Sequence, residues 1–418
     1  MKTALFSRFK STLIGLLLLL AFTSVQAATD SLGTWGAKNF PLSNYNILGM
    51  AYGNNTYVIV GAIVDSSGSP VKGFVATSPD ATDTTKWIIR STGSATSQFN
   101  SVIFSKDRFI AVCKQPDGAA AGNARIWTSD TNGTTWVTKD SDNAGVIVPG
   151  GLHSVASDGN GKIVAVGGTP SDNGWITISN DNGTTWRVVR WSNGIAWYAS
   201  SKFYGIGYAK GKWYAFMGGS SYQSSDGGPI QTSWTTQIAG GGVDTYGLGP
   251  KVASNGSSVV IATTGGPKYS DDGGTTWKDG YKGKPFDLLN LTNSDSSIVY
   301  AQGLYVLSTR DNAGNIWVSE NGYLWKRWQL PSTANTNSLC FAKAAFWCTG
   351  YGGTISKSPT WFNARNGCSS DYPYTVFDAE DGPPNRIGLP QYRVNTASLK
   401  LVLEATLFYA KTHVPHFF

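Results

Sequence analysis

The fold is decided by the segment Ser179-Asn180-Asp181-Asn182-Gly183-Thr184-Thr185-Trp186, because closely related segments recur along the chain. Residues 270–277 read SDDGGTTW, residues 129–136 read SDTNGTTW with the aspartate one place early, and residues 319–325 read the shorter SENGYLW. Asp and Asn bond their own backbone amides and Gly supplies positive φ, so these residues favour a tight turn. The Thr and Trp that follow favour a strand. Each copy therefore predicts a β-hairpin.

Tryptophan recurs with the same spacing as these turns. Degenerate copies of the turn precede the second and fifth tryptophan of the series, and only Ser358-Pro359-Thr360 remains before the last. Consecutive members lie 36 to 52 residues apart, and the series is Trp35, Trp87, Trp136, Trp186, Trp234, Trp277, Trp325 and Trp361. A repeat of about 40–50 residues is typical of propellers and solenoids.

Between the tryptophans, short apolar runs alternate with small turns. The run Ile163–Val166 is continuously apolar, which is typical of strands buried on both faces. Eight tryptophans bound seven intervals, so we expect an all-β protein, a seven-bladed β-propeller of four-stranded antiparallel blades over about residues 28–365. Six or eight blades remain open because the last interval is short. Trp35 has no turn of its own, so its segment is expected to complete the last blade and close the ring.

The turns resemble the Asp-box (BNR) repeats of sialidase-like β-propellers, whose consensus is S-x-D-x-G-x-T-W. The copies at 179–186 and 270–277 match every fixed position. In that family the box is structural and lies away from the ligand face, so the resemblance implies turn formers rather than catalytic or metal-binding residues. The structural box residues expected on this basis are Ser129, Gly133, Trp136, Ser179, Asp181, Gly183, Trp186, Ser270, Asp272, Gly274, Trp277, Ser319, Gly322 and Trp325.

The same resemblance raises the question of enzymatic activity. Sialidases of this fold carry an arginine triad, a Tyr–Glu nucleophile pair and an acid–base aspartate. Here the first arginine beyond residue 27 is Arg90, and the only glutamate of the repeats is Glu320, inside a box. Sialidase activity is therefore not expected. The alternative is a glycoside hydrolase that uses an aspartate pair, whose carboxyl groups would lie about 5–9.5 Å apart.

His153 is the only histidine of the repeats, so a Ser-His-Asp arrangement would have to use it. It lies at the start of an inner strand, where we expect a structural residue at the mouth of the channel.

Residues 187–204, which follow the box at 179–186, are rich in aromatic and cationic residues. We predict that Arg190, Trp191, Trp197 and Tyr198 form a ligand-binding patch, because exposed rings with nearby polar groups suit sugars or peptides. The other interpretation is that the two tryptophans pack between blades. The expected function is a non-catalytic propeller that binds a glycan or an extracellular protein, or that is a scaffold within a larger surface protein. Photosystem assembly propellers have similar boxes, so the resemblance implies that the family also includes assembly factors.

Several ligand classes find no support in the sequence. The chain has a formal net charge of +7, but its lysines and arginines do not form the runs that bind nucleic acid. No phosphate-binding loop and no metal-ligand spacing is present, so no cofactor or metal is expected. Charged residues make up only 14% of the chain while Gly contributes 50 residues, which is typical of an exported all-β protein with many turns.

Residues 1–27 resemble a secretory signal peptide. Positive residues precede an apolar core at 13–22 that is too short to span a bilayer, and small residues precede Ala28. No later stretch is long and apolar enough for a transmembrane helix, so none is expected in the mature chain. We expect an exported protein of the periplasm, the cell surface or the external medium.

The residues beyond the last tryptophan differ in character, and we assign 366–418 to a linker and a C-terminal segment. Residues 386–395 and the apolar stretch 399–409 resemble the leading segment of secreted RHS/YD-repeat proteins. On that resemblance the segment is the truncated start of a further domain, and the alternative is a simple terminal strand and tail.

Four cysteines are spread over the chain: Cys113, Cys340, Cys348 and Cys368. Cys340 and Cys348 flank a predicted hairpin, so they could face each other across two strands and form a disulfide, which export permits. The other interpretation is that they are small buried residues in strands.

Overall fold

Seven antiparallel sheets form a β-propeller in a computed structural model of the chain. The propeller is one compact unit that spans Thr34–Trp361. Among the described residues, no helix is long and apolar enough to cross a membrane. The proposed leader and the C-terminal segment lie outside these residues. The structure describes residues 36–39, 44–95, 98–114, 125–140, 151–168, 174–189, 203–217, 220–227, 234–239, 251–263, 265–282, 297–309, 314–330 and 336–359.

The strands are numbered β1 to β29 along the chain, and each blade is given from its innermost to its outermost strand. Blade 1 is β2 (Tyr45–Gly53), β3 (Thr56–Val64), β4 (Pro70–Ser78) and β5 (Ile88–Ala95). Blade 2 is β6 (Gln98–Ser105), β7 (Arg108–Lys114), β8 (Arg125–Ser129) and β9 (Trp136–Asp140). Blade 3 is β10 (Leu152–Ser157), β11 (Ile163–Gly168), β12 (Gly174–Ser179) and β13 (Arg187–Val188). Blade 4 is β14 (Phe203–Ala209), β15 (Lys212–Met217), β16 (Ser220–Ser224) and β17 (Thr235–Ala239).

The remaining three blades follow the same pattern. Blade 5 is β18 (Val252–Ser254), β19 (Val259–Thr263), β20 (Gly266–Ser270) and β21 (Lys278–Asp279). Blade 6 is β23 (Ser297–Ala301), β24 (Leu304–Ser308), β25 (Asn315–Ser319) and β26 (Leu324–Gln329), with β22 (Tyr281–Lys282) beside β26. Blade 7 is β27 (Thr336–Ala342), β28 (Ala345–Gly350), β29 (Thr354–Lys357) and β1 (Gly36–Asn39).

The first strand of the chain closes the ring. β1 pairs antiparallel with β29, with Gly36 opposite Lys357 and Asn39 opposite Thr354. The innermost strands pack against one another in sequence, and β27 packs against β2 in turn. The prediction of seven blades is therefore confirmed, and so is the outer strand that the start of the chain supplies to the last blade.

Blade 6 departs from the four-stranded prediction. β22 pairs with β26 in parallel, with Tyr281 opposite Leu324. The backbone N–H of Tyr281 donates to the carbonyl of Tyr323 at 2.8 Å, and the rings of these two tyrosines lie 5.0 Å apart. The chain that leaves blade 5 thus covers the outer edge of blade 6.

The core lies between the blades, which explains the continuously apolar runs. All six residues of β11 are buried. Ile163 and Ala165 pack into a cluster with Ile110 of blade 2, while Val164 and Val166 pack with blade 4. Because alternate side chains point to opposite faces, a strand held between two blades needs apolar residues at every position. Each such buried side chain stabilises the fold by about 1.5–3 kcal/mol.

Cys340 and Cys348 are free thiols, so the disulfide that the sequence left open is not formed. Both lie in neighbouring strands of blade 7, but the register places Cys340 opposite Trp347 and Cys348 opposite Leu339. This offset of one residue directs the two side chains to opposite faces of the sheet. The other interpretation, small residues packed in strands, describes Cys348, which is buried, and Cys340, which is half-buried. Cys368 lies outside the described residues.

Box glycines lie at contacts between successive blades. Gly322 has φ 77°, and a Cβ at this position would lie 2.5 Å from Val260 Cγ2 of the preceding blade. Gly183 has φ 82°, and its Cβ would lie 3.4 Å from Ile110 Cγ1 and Thr128 Cγ2 of blade 2. The backbone conformation favours glycine at both positions, and at Gly322 the close approach of Val260 excludes a side chain as well.

Gly322→Ala should lower the free energy of unfolding by about 2–4 kcal/mol, because positive φ and overpacking each carry a cost. The matched control is Gly273→Ala. Gly273 also has positive φ, at 73°, but a Cβ there meets no atom within 4 Å. The control should show only the backbone cost of about 1–2 kcal/mol. Urea denaturation of both variants measures the difference, and equal losses would contradict close packing at Gly322.

Candidate functional site

The two faces of the ring have different roles. The bottom face carries the turn between the first two strands of each blade and the box turn between the last two. The top face is where the innermost strands begin. The box turns are described first because they contain most of the predicted site residues.

The box at 179–186 is a closed set of hydrogen bonds. The carboxylate of Asp181 accepts from the Thr185 N–H at 2.8 Å, from the Thr185 hydroxyl at 2.6 Å and from the Ser179 hydroxyl at 2.8 Å. The Gly183 N–H donates to Ser179 Oγ at 2.8 Å, and Trp186 Nε1 donates to the Gly183 carbonyl at 3.2 Å. Every residue of this box that the sequence singled out therefore takes part in the turn.

The other three boxes repeat this pattern. The tryptophan Nε1 donates to the box glycine carbonyl in Trp136–Gly133 at 2.8 Å, Trp277–Gly274 at 3.1 Å and Trp325–Gly322 at 3.1 Å. The serine hydroxyl accepts from the glycine N–H in Ser270–Gly274 at 2.7 Å and Ser319–Gly322 at 2.8 Å. In the second blade, Ser129 Oγ instead accepts from the Phe109 N–H at 2.8 Å.

The box carboxylates are held ionised by the turn. Partial burial alone would raise the pKa of Asp130, but hydrogen bonds from Thr134 and Thr135 outweigh it and lower the pKa to about 2. The hydroxyl of Thr276 is the main cause that lowers the pKa of Asp272. Burial opposes the same effect at Asp181, where Thr185 lowers the pKa. A carboxylate with such a low pKa is a poor general acid at neutral pH.

The bottom face also links neighbouring blades. In five places, the first turn of one blade bonds to the box of the next: Asn54 Nδ2 to Asn132 Oδ1 at 2.5 Å, Asn182 Nδ2 to Asp107 Oδ1 at 2.7 Å, Lys162 Nζ to the Asp226 carbonyl, Lys212 Nζ to the Gly273 carbonyl at 2.8 Å, and Lys343 Nζ to the Pro79 carbonyl at 3.1 Å. The polar groups of this face are therefore engaged in holding the ring together.

At the top face, each of five innermost strands has one displaced residue near its start. A register shift leaves this residue without a direct partner in the second strand, and the residues are Leu48, Asn100, His153, Tyr204 and Asn337. Bulges of this kind re-aim a side chain and are frequent beside functional sites. In five blades, one residue near the top end of the innermost strand therefore lies outside the regular strand pairing.

Polar side chains at this position connect one blade to the next. Asn100 Nδ2 donates to the Leu152 carbonyl at 2.8 Å, and Asn337 Nδ2 donates to the Ile47 carbonyl at 2.8 Å. His153 lies at the start of β10 and is buried, with 8% of its surface exposed, and its ring centre is 6.0 Å from that of Tyr204. Asn, His or Tyr therefore occupies this position in blades 2, 3, 4 and 7.

The next residue along each innermost strand reveals a group that sequence reasoning missed. Six blades carry a small residue there: Gly49, Ser101, Ser154, Gly205, Ser297 and Ser338. Blade 5 carries Lys251, which is fully buried. Gly205 of the preceding blade makes room for it, since a Cβ there would lie 2.6 Å from Lys251 Cγ. Alignment of the repeats on their second strands would have shown this lysine as the exception.

The serines at this position bond between blades. Ser154 Oγ accepts from the Ile206 N–H at 3.3 Å, and Ser297 Oγ accepts from the Leu339 N–H at 3.1 Å. A lysine is rarely buried completely unless its ammonium is paired. Lys251 thus places a long side chain with an amino group at a position that is small in the other six blades.

The predicted ligand patch lies outside the described residues. Arg190, Trp191, Trp197 and Tyr198 all belong to residues 190–202, which connect β13 to β14. The connection leads directly into the displaced residue Tyr204. The patch therefore remains a prediction.

The described residues provide no second site of acidic or metal-binding character. They contain no group of three or more His, Cys, Asp or Glu side chains that could hold a metal ion. Within the described ranges, no aspartate lies at the start of an innermost strand. The described starts of the innermost strands therefore contribute no carboxylate to the aspartate pair of the alternative hydrolase.

Comparison with known proteins identifies the fold alone. No family model and no curated protein matches the chain in sequence. Among solved structures, it is similar to YCF48 bound to D1 peptide, with a TM-score of 0.53, 16% identity, and coverage of 78% of this chain and 96% of that chain. A virginiamycin B lyase from Staphylococcus aureus gives a TM-score of 0.56, 12% identity, and coverage of 78% and 98%. YCF48 from Cyanidioschyzon merolae gives a TM-score of 0.52 and 14% identity, with coverage of 78% of this chain and 99% of that chain.

These similarities support a seven-bladed propeller and nothing narrower. The resemblance to sialidase-like Asp-box repeats and the weaker one to RHS/YD-repeat proteins have no support among the neighbours, so both remain predictions. One neighbour has a peptide bound and another is a lyase. The fold is therefore compatible with either binding or catalysis.

Acidification should expose the contribution of the box carboxylates to stability. Because the pKa of Asp130 is lowered to about 2, its contribution is complete above the pKa of about 3.9 in the unfolded chain and is lost as the pH falls towards 2. Asp130→Asn should therefore have a lower Tm than the wild type at pH 7, and this gap should close between pH 4 and pH 2.

Calorimetry across this pH range measures the gap. Blade 6 provides the reverse variant, because Asn321 occupies the aspartate position there and accepts from the N–H groups of Tyr323 and Leu324 at 2.8 and 2.9 Å. Between pH 4 and pH 2, the Tm of Asn321→Asp should fall more than that of the wild type, whereas the Tm of Asp130→Asn should fall less. A gap that persists unchanged at pH 2 would show that the carboxylate charge is not the cause.

Proposed function

We propose that this chain is an exported, non-catalytic propeller that binds a segment of an extracellular protein at its top face. The observation that carries this proposal is that the top face varies from blade to blade while the bottom face repeats one structural turn. At the bottom face, polar groups bond within the boxes and between neighbouring blades. At the top face, the displaced position holds Leu48, Asn100, His153, Tyr204 and Asn337 in five blades, and bulges of this kind are frequent beside functional sites.

The ligand patch that the sequence predicts precedes the innermost strand of blade 4 in the chain. The connection at 190–202 brings Arg190, Trp191, Trp197 and Tyr198 into the strand that begins at Phe203. Tyr and Trp provide large contact area at a low entropic cost, and Arg pairs with acidic groups. A peptide or a glycan with acidic groups would suit this combination.

The neighbours support binding without deciding it. A propeller of the same fold is known with a peptide bound, which supports the capacity of the architecture to hold one. The lyase neighbour supports catalysis on the same architecture. In this chain, the box carboxylates Asp130, Asp181 and Asp272 are hydrogen-bonded within their turns, so they favour a structural role. A peptide partner at the periplasm or cell surface is therefore preferred over hydrolysis of a glycan.

The test is a parallel screen of the purified chain on arrays of extracellular peptides and of glycans. Binding to peptides would support the proposal, and binding to one class of glycan alone would replace the peptide by a sugar. Material recovered from the array should be unchanged. Cleavage that single Asp→Asn changes outside the boxes abolish would instead establish the hydrolase.

The predicted contact residues allow a sharper test. Trp191→Ala and Trp197→Ala should each weaken binding by about tenfold or more, since loss of a buried aromatic anchor commonly costs at least about 1.4 kcal/mol. Arg190→Ala should also weaken binding, with Arg327→Ala as the matched control, since Arg327 is exposed on blade 6. Circular dichroism must show that the variants fold. A tryptophan variant that loses its fold would support packing between blades.

A further inference from the structure

The outermost strand of each blade leaves one row of backbone groups without a strand partner, and such edges promote association unless they are protected. Most blades of this ring protect theirs. β13 and β21 have two residues each, β1 has four, and β9 and β17 have five. The six-residue strand β26 is covered by β22. Among the described strands, β5 is the longest outermost one, with eight residues, and two register shifts interrupt its pairing with β4.

Exposed apolar side chains are concentrated at the same place. The large hydrophobic residues that the described chain exposes are Val71 at 40%, Ile88 at 50%, Ile89 at 40% and Val137 at 61%. Three of them lie on the two outer strands of blade 1, and Val137 lies on the outer strand of blade 2. An apolar patch beside an uncovered strand edge is typical of a protein interface.

The repeats show that this patch is specific to blades 1 and 2. Ile88 and Val137 directly follow a box tryptophan, a position that the fold turns towards solvent. The equivalent residues in the next four blades are polar or charged: Arg187, Thr235, Lys278 and Lys326. A charged residue is therefore compatible with the fold at this position, and the apolar residues of the first two blades are not required by it.

The arrangement of the patch is complementary to itself. In blade 1, Ile88 is opposite Thr77 at one end of the β4–β5 pair, and Ala95 is opposite Lys72 at the other end, next to Val71. If two copies of β5 pair antiparallel about a two-fold axis, the start of each strand meets the end of the other. Ile88 and Ile89 of one copy then lie near Val71 of its partner.

We propose that two copies of this chain associate edge to edge through β5. The pairing extends the sheet of blade 1 into the sheet of the second copy and covers the exposed isoleucines. Blade 6 shows that an outer edge of this ring accepts a further strand, since β22 adds to β26. A symmetric pair of this kind has the same patch on both sides, as isologous dimers require.

The test is sedimentation equilibrium of the full chain, processed as the producing cell processes it, over a range of concentrations. A reversible monomer–dimer equilibrium is expected. The double change Ile88→Lys and Ile89→Lys should raise the dissociation constant at least about tenfold, because it removes apolar burial and brings the new lysines towards Lys72, which is opposite Ala95 in the second copy. Lysine is the natural residue at the first of these positions in blade 5, so the variant should fold, and thermal unfolding checks this.

Thr235→Lys is the matched control, because it introduces a lysine at the equivalent outer position of blade 4. It should leave the dissociation constant unchanged. Amide hydrogen exchange gives an independent readout, since residues 88–95 should be slowed in exchange at concentrations above the dissociation constant and not below it. A monomer at every concentration overturns the proposal. A dimer that the isoleucine changes do not weaken, or that Thr235→Lys weakens equally, overturns it as well.

Discussion

The contact between each box turn and the preceding blade is the constraint on which the rest of the ring depends. The turn holds a glycine at positive φ, as at Gly183 and Gly322, and at Gly322 a side chain would also collide with the neighbouring sheet. The serine, aspartate and tryptophan of the box hold that glycine in place through hydrogen bonds within the turn. The apolar strands pack between the same neighbouring blades that the boxes bring into contact. A short polar motif and a large apolar core thus join the same pairs of blades.

Much of this architecture could be predicted because its causes are local and repeated. Turn residues at fixed offsets and a regular tryptophan spacing were enough for the seven blades and for the strand that the chain start adds to blade 7. Features set by register could not be predicted, since a shift of one residue decides whether Cys340 and Cys348 face each other. Strand β22 has only two residues, too few for any periodicity. Lys251 could not be recognised as exceptional from its own position, because this depends on the small residues that occupy the same position in the other six blades.

The division between the two faces limits where function can reside. Bonds such as Asn182 to Asp107 and Lys212 to Gly273 join neighbouring blades at the bottom face, so a ligand there would compete with the bonds that hold the ring. The displaced residues at the top face are free of regular strand pairing and can differ from blade to blade without cost to the sheets. Asparagine, histidine, tyrosine and leucine all occur there. The residues at the top face can therefore change while the box turns at the bottom face stay the same. In this way, one repeat architecture can bind unrelated ligands.

The pairing of β1 with β29 has a consequence for the time course of synthesis. Gly36 is among the first residues of the propeller to be made and its partner Lys357 is among the last, so the two meet only after the intervening blades have been produced. Pairings this distant along the chain form slowly, because loop-closure entropy must be overcome first. A nascent chain that emerges from its amino end therefore carries an open ring throughout elongation. Any chain that stops before Thr354 keeps that ring open, which makes incomplete molecules distinguishable from complete ones by their unpaired first strand.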